Sequence, residues 1–475
     1  MKARTLIRST IALLAASASV SVPALAQSSP QQAEDFAITN ATVAIGDGSA
    51  PIANGTVVVR GGKVVAAGAG VAVPAGVKVI DGAGKWVTPG LVSAVTDLGL
   101  VDVGAVDESN DDYAEKAGFN AALDVSAAID PDATPIGVSR AGGVTRAAVA
   151  PMAANAIFAG QGAIIDLGTD ANPVNRPRAF QFVELGERGA DLAGGSRVAA
   201  QAVLRNALRE AADFDRRTGI SKIGGGKIGA GKGAPATTGD DIPLDPRMAQ
   251  TAQGRADDGL LTRFDAAALI PVVTGRQPLY VHVERAADIR QVLRLKTEFP
   301  ALKLVIVGAA EGWRVAREIA GAGVPVLASA MTDLPSRFET LGATQSNVGR
   351  MQAAGVKVGL GGFFDNDQPR YAPQYAGNLV AVGRMPGATG LSWGQALAAI
   401  TSVPADILGE ATHFGSLKPG LAADVVIWDG DPLEVASGPV AIYVDGVAQN
   451  MVNHQTRLRD RYRTPQEGSL PKAYQ

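Results

Sequence analysis

Three histidines and not one cysteine bound the chemistry open to this chain. Without thiols there is no disulfide, no zinc–thiolate or iron–sulfur ligation and no cysteine nucleophile. A metal site would have to be built from oxygen and imidazole. His282 closes the run Pro278-Leu-Tyr-Val-His-Val-Glu284, just ahead of a helical stretch from Ala286. At the end of a parallel barrel strand such a residue faces the mouth where active sites form. A histidine hydrogen-bonded within the core is the competing reading, and the residues alone leave both open. His413 lies in a turn and His454 follows the last β run, so both read as ordinary surface groups. Gly226-x4-Gly231-Lys232 has the outline of a phosphate-binding loop. Gly233 stands where Ser or Thr would hold magnesium, and no β run precedes it, so it reads as a loop without a nucleotide.

The elements that would position His282 follow from hydrophobic periodicity. From Phe36 to Val87 the chain shows short β runs: Phe36 to Val43, Gly55 to Arg60, Lys63 to Gly68 after a Gly61-Gly62 turn, and Val77 to Asp81. Beyond Thr88-Pro89-Gly90, apolar runs alternate with helical stretches, the pattern of parallel strands joined by crossover helices. Leu304 to Val307, Val324 to Leu327 and Val356 to Leu360 read as buried strands. Helices are expected over 196–214, 312–320 and 392–400, with Ser392 as an N-cap. The segment 221–241, rich in Gly, Lys, Ala and Thr, reads as a flexible insertion. Asp424 to Trp428 and Val440 to Gly446 return to β character, and a charged tail runs from 457 to 475.

Of the 475 residues, 47% are hydrophobic and 19% charged, enough apolar material for a barrel-sized core. The net charge is −3 and no long basic tract occurs, which argues against nucleic acid or an anionic membrane surface as partner. Lys2, Arg4 and Arg8 precede an apolar run from Ile11 to Val22 and the small-x-small site Ala24-Leu25-Ala26. That is a signal peptide spanning 1–26, cleaved after Ala26, and the mature chain is expected in the periplasm.

Four segments together resemble the amidohydrolase superfamily, in particular its imidazolonepropionase-like branch. They are Ile38-Thr-Asn-Ala-Thr-Val43 with Gly61-Gly-Lys-Val-Val65, then Thr88-Pro-Gly-Leu-Val92, then Pro404-Ala-Asp-Ile-Leu-Gly409, and Gly415-Ser-Leu-Lys-Pro-Gly-Leu-Ala-Ala-Asp-Val-Val426 with Asp429-Gly-Asp-Pro432. The resemblance implies an α/β fold: a (β/α)8 TIM-type barrel over 88–420 and a small composite β-sandwich made by both termini, 27–87 and 421–456.

The motifs that carry the family's chemistry are reduced. Val95 and Asp97 stand where the first barrel strand should end in His-x-His, and the sixth strand offers Val307-Gly-Ala-Ala-Glu311 in place of a histidine. Glu311 reads as a residue of the next helix's first turn. His282 matches the fifth-strand histidine, Asp365 matches the last-strand aspartate with a two-residue shift, and the fourth-strand acidic bridge is not located. What survives implies one divalent metal, zinc or manganese, held by Asp97, His282 and Asp365, or no metal at all. Asp365 would be the proton shuttle, and His282 a ligand or an oxyanion stabiliser. The resemblance implies a hydrolase of carbon–nitrogen bonds in small amide or dipeptide-like substrates. The competing reading is a non-catalytic barrel: a binding protein, or the partner subunit of an intact homologue, with a homo-oligomer as a further arrangement.

Overall fold

A computed structural model describes residues 33–220, 259–330, 332–363 and 368–463. The signal peptide, the insertion at 221–241, Asp365 and the last part of the tail lie outside the described residues. Both ends of the chain enter one sheet. β1 (Phe36–Val43), β2 (Ile52–Arg60), β3 (Lys63–Gly68), β4 (Lys78–Asp81) and β5 (Trp86–Pro89) come from the N-terminal side. The intervening strands are β6 (Leu91–Thr96), β7 (Val144–Val149), β8 (Phe158–Asp166), β9 (Val174–Glu184), β10 (Leu279–Val283), β11 (Leu304–Gly308), β12 (Val326–Ala328) and β13 (Val358–Phe363). β14 (Val425–Trp428), β15 (Pro439–Val444) and β16 (Val447–Ala448) complete the set. The sheet order is β16-β15-β14-β5-β1-β2-β3, with β4 also beside β1. The seam between the two ends is the antiparallel pair β5–β14, from Trp86 opposite Trp428 to Pro89 opposite Val425. The three short strands from the C-terminal side thereby extend the N-terminal set into one sheet.

β6 to β13 close into an eight-stranded barrel. Its interior is filled by side chains such as Val92, Ala94, Ile164, Phe180, Phe182, Tyr280, Val305 and Leu327. Phe180 and Tyr280 stack there with ring centroids 4.3 Å apart. Alternate residues, among them Val183, Val281 and Ile306, face the surrounding helices. The longest helix, Arg197–Thr218, is capped by Ser196, whose side chain accepts from the Ala199 amide, and it stops at left-handed Gly219. The helix expected from 312 forms in two parts, a 3-10 turn over Gly312–Val315 and an α-helix over Ala316–Ala322 ending at left-handed Gly323. The connectivity departs from strict βα alternation once. β8 is antiparallel to both β7 and β9, so seven strands run one way and one returns. The links at 150–157 and 167–173 are too short for a crossover, which takes about a dozen residues or more, so a meander forms instead.

Arg146, on β7, fastens the barrel to the sheet. Its Nε and Nη2 donate to the two oxygens of Asp424 at 2.7 and 3.0 Å, and Nη1 donates to Asn175 at 3.0 Å. Asp445 lies 2.8 Å from Nη2 and Asp166 lies 3.8 Å from Nη1. The Phe414 ring covers the guanidinium at 5.3 Å. Burial alone would push the Arg146 pKa down, but Asp424, Asp445 and Asp166 outweigh it and hold the value above the ordinary one. Gly90 makes the adjoining approach possible, since a Cβ there would lie 2.0 Å from the Thr145 hydroxyl oxygen.

Removing the guanidinium leaves buried carboxylates without a counter-charge, which costs about 3–5 kcal/mol. Arg146→Ala is therefore expected to lower the unfolding free energy by about that amount in urea denaturation. Arg146→Lys should recover only part, because an ammonium cannot match the forked contact with Asp424. A loss under about 1 kcal/mol for Arg146→Ala would show that the clamp contributes little.

Candidate active site

The C-terminal ends of β9 and β10 bring Glu184 and His282 side by side in parallel register. His282 Nδ1 is 2.8 Å from Glu184 Oε1, and Nε2 is 3.1 Å from Glu284 Oε1. The Glu184 oxygen also accepts from the Gly186 amide at 2.9 Å, and the second Glu284 oxygen accepts from the Ala310 amide at 2.6 Å. Gly308 lets that carboxylate in: its φ is +92°, and a Cβ there would lie 2.6 Å from Glu284 Oε1. Burial works against a charge on His282, but Glu184 first and Glu284 second outweigh it, and the ring pKa is held well above the usual 6.5. Burial likewise raises Glu184, and the imidazolium more than reverses that, so its carboxyl sits below the ordinary range. Glu339, buried nearby, is pushed up by burial, although the Glu187 amide donating at 2.7 Å and the His282 charge pull the other way.

Glu184 ends the fourth barrel strand, the place where the sequence yielded no acidic residue. A signal for it exists in Ala179-Phe-Gln-Phe-Val-Glu184, a period-two run that ends in a carboxylate two residues before Gly186, much as the His282 run ends.

Asp97 lies elsewhere on the mouth. With Asp102, Asp112, Met152, Arg188 and Phe363 it lines a cavity of about 630 Å³, and His282 is not on that wall. Val95, two residues before it, is fully buried at a φ of +63°, and the β6 register skips between Ala94 and Thr96. A β-branched residue is a rare occupant of that region, and the bulge re-aims the chain that follows. Val95 packs into the barrel interior while Asp97 reaches the cavity, so the two do not simply alternate onto one face. Arg188 connects the two places: it lines the cavity, and its charge helps to lower the Glu184 pKa.

The described donors do not gather around a place for a divalent ion. Both ring nitrogens of His282 already face carboxylates, Nδ1 that of Glu184 and Nε2 that of Glu284. Val95 offers no donor, and β11 ends in Gly308 and Ala309. Among the described residues, no three His, Asp or Glu side chains gather where they could hold a metal. Of the expected ligands Asp97, His282 and Asp365, Asp97 lines the cavity, His282 does not, and Asp365 lies outside the described residues. Glu311 is buried, and its carboxylate accepts from the amides of Ala286 and Gly342, which ties two neighbouring loops together. His413 is exposed beside Glu410, and His454 begins an exposed helix, His454–Arg463. Gly390-Leu-Ser-Trp-Gly394 spells Gly-x-Ser-x-Gly, but Ser392 is a helix N-cap whose hydroxyl accepts from the Gln395 amide, and no strand leads into it.

Comparison with known proteins places this geometry. Residues 278–448, from β10 through the C-terminal strands, match the amidohydrolase family. That stretch belongs to the amidohydrolases. An amidohydrolase from Thermotoga maritima MSB8 overlays with a TM-score of 0.69 at 22% identity, over 87% of this chain and 99% of that one, a likeness of fold. Amidohydrolase tasK of Hapsidospora irregularis is 48% identical over 60 residues, which are 13% of this chain and 6% of tasK, so this chain spans only a small part of that relative. The family is one of hydrolases, and members of the superfamily commonly use a divalent metal.

The His282 ring should stay doubly protonated at neutral pH in ¹H–¹⁵N spectra and titrate well above 6.5. A raised histidine pKa stabilises the fold fully below about pH 6.5, and that contribution fades as pH rises through the folded value. The lowered Glu184 acts in the opposite direction, contributing above about pH 4.5 and failing as pH falls. Glu184→Gln should move the His282 titration down. A ring that titrates near 6.5 in both proteins would dismiss the clamp.

Proposed function

We propose that the chain is an exported hydrolase of carbon–nitrogen bonds, acting on small amide or dipeptide-like compounds in the periplasm, and that it belongs with the imidazolonepropionase-like branch. The carrying observation is that Asp97 and Arg188 line one cavity at the C-terminal end of an amidohydrolase-type barrel, the end where barrel enzymes act. Asp97 takes a proton from a water as that water attacks the carbonyl carbon. Arg188, whose Nε and Nη2 bond to the Ala153 carbonyl, lends positive charge to the oxyanion that forms. The proton on Asp97 then passes to the departing amine. His282, buried as a cation between Glu184 and Glu284, holds the strand ends that carry Arg188.

A panel of N-acyl amino acids and dipeptides, offered to the mature protein, tests this reading. Asp97→Asn is expected to cut kcat/KM by about 10²–10⁴-fold, and Arg188→Gln by about 10²–10³-fold. Wild-type turnover by Asp97→Asn would remove the proposed base. Metal analysis of protein purified without chelators should find no stoichiometric zinc or manganese. One equivalent would return Asp97 and Asp365 to a ligand role.

A second reading is favoured by His282, both of whose ring nitrogens are engaged, and by Val95 at a ligand position. In it the barrel is non-catalytic, a binding protein or the partner of an intact homologue. Turnover that appears only when a homologous amidohydrolase with the full histidine set is added would support this second reading over the first.

A further inference from the structure

We propose that the N-terminal end of the barrel, opposite the mouth, holds a second ligand site for a small organic anion with an apolar body. A cavity of about 850 Å³ opens there, among residues leading into β10, β11 and β12 such as Pro278, Lys303 and Pro325. It shares no lining residue with the mouth cavity. Its size falls within the range of about 300–1,000 Å³ usual for small-molecule sites.

Two features define the ligand. The first is charge. Arg176, Arg178, Arg276, Lys296 and Lys303 line the cavity, and no Asp or Glu does. Glu410 pairs with Arg176 at 2.7 Å and Asp124 with Arg178 at 3.6 Å, which leaves the other three cations in excess. Lys296 donates to the Ala322 carbonyl and Arg276 to the Thr274 hydroxyl oxygen, both neutral acceptors. The Lys303 side chain makes no ion pair or hydrogen bond among the described residues. In a chain of net charge −3, this concentration of positive charge favours an anion.

The second feature is the apolar wall formed by Phe264, Ala267, Leu302 and Leu304, which suits a hydrocarbon or aromatic body rather than a bare inorganic ion.

Phenylacetate has both features and no amide bond to hydrolyse. Titrated calorimetrically into the wild-type protein, it is expected to bind saturably, and Lys303→Glu should weaken it at least tenfold. Inorganic phosphate should bind more weakly. The proposal is overturned by no saturable binding to wild type, by Lys303→Glu binding as wild type does, or by phosphate binding as tightly as phenylacetate. Loss of binding in Asp97→Asn with retention in Lys303→Glu would place the probe at the mouth and equally dismiss the second site.

Discussion

Arg146 is a buried guanidinium at the junction of two layers, with aspartates from both around it. Asp424 lies just before β14 and Asp445 in the turn between β15 and β16, so both belong to the sheet's C-terminal strands, while Asp166 closes β8 of the barrel. The strands β14 and β5 pair directly beside this cluster, and β5 runs through Gly90 into the first barrel strand. The start of β6 is therefore held by the same contact that brings the two chain ends together. A desolvated arginine with three acidic neighbours holds its geometry well because any separation exposes charge to a medium that solvates it poorly.

With one end of β6 anchored, its other end departs from regular pairing. The skip at Val95 and the turn after Asp97, where the Asp97 carbonyl accepts from the Leu100 amide, aim the chain toward the mouth. Across the barrel, the ends of β9 and β10 hold a charge cluster: His282 between two carboxylates, with a buried third acid and Arg188 close by. Local strain and paired charge of this kind persist only where the surrounding packing determines them. Here the packing is the Phe180–Tyr280 stack and the aliphatic filling of the barrel beneath.

The two ends of the barrel differ in sign. Asp97, Asp102, Asp107, Asp112 and Glu115 line the mouth cavity with Arg188 as its one lining cation, and the opposite cavity is lined by five cations and no acid. A nearly neutral chain thus separates its charge along the barrel axis, and concave walls of low polarity focus such fields.

Much of the fold was legible in the residues because it rests on local patterns. Period-two runs marked β1 to β3 and β10, Ser196 and Ser392 marked helix starts, and the Gly415 to Val426 motif tied the chain to its family before any coordinates. The absence of cysteine and the scarcity of histidine likewise limited the metal chemistry by counting alone. The reversal of β8, the bulge at Val95 and the contact of Glu184 with His282 were not legible, since each depends on strand register across the barrel. His282 shows the division most clearly: its place at a strand end could be read from the chain. Its raised pKa was decided by Glu184, 98 residues earlier, and by Glu284, which is held by the Ala310 amide. A side chain's identity and its local periodicity are written in sequence, but its charge is set by which groups folding brings within about 3 Å.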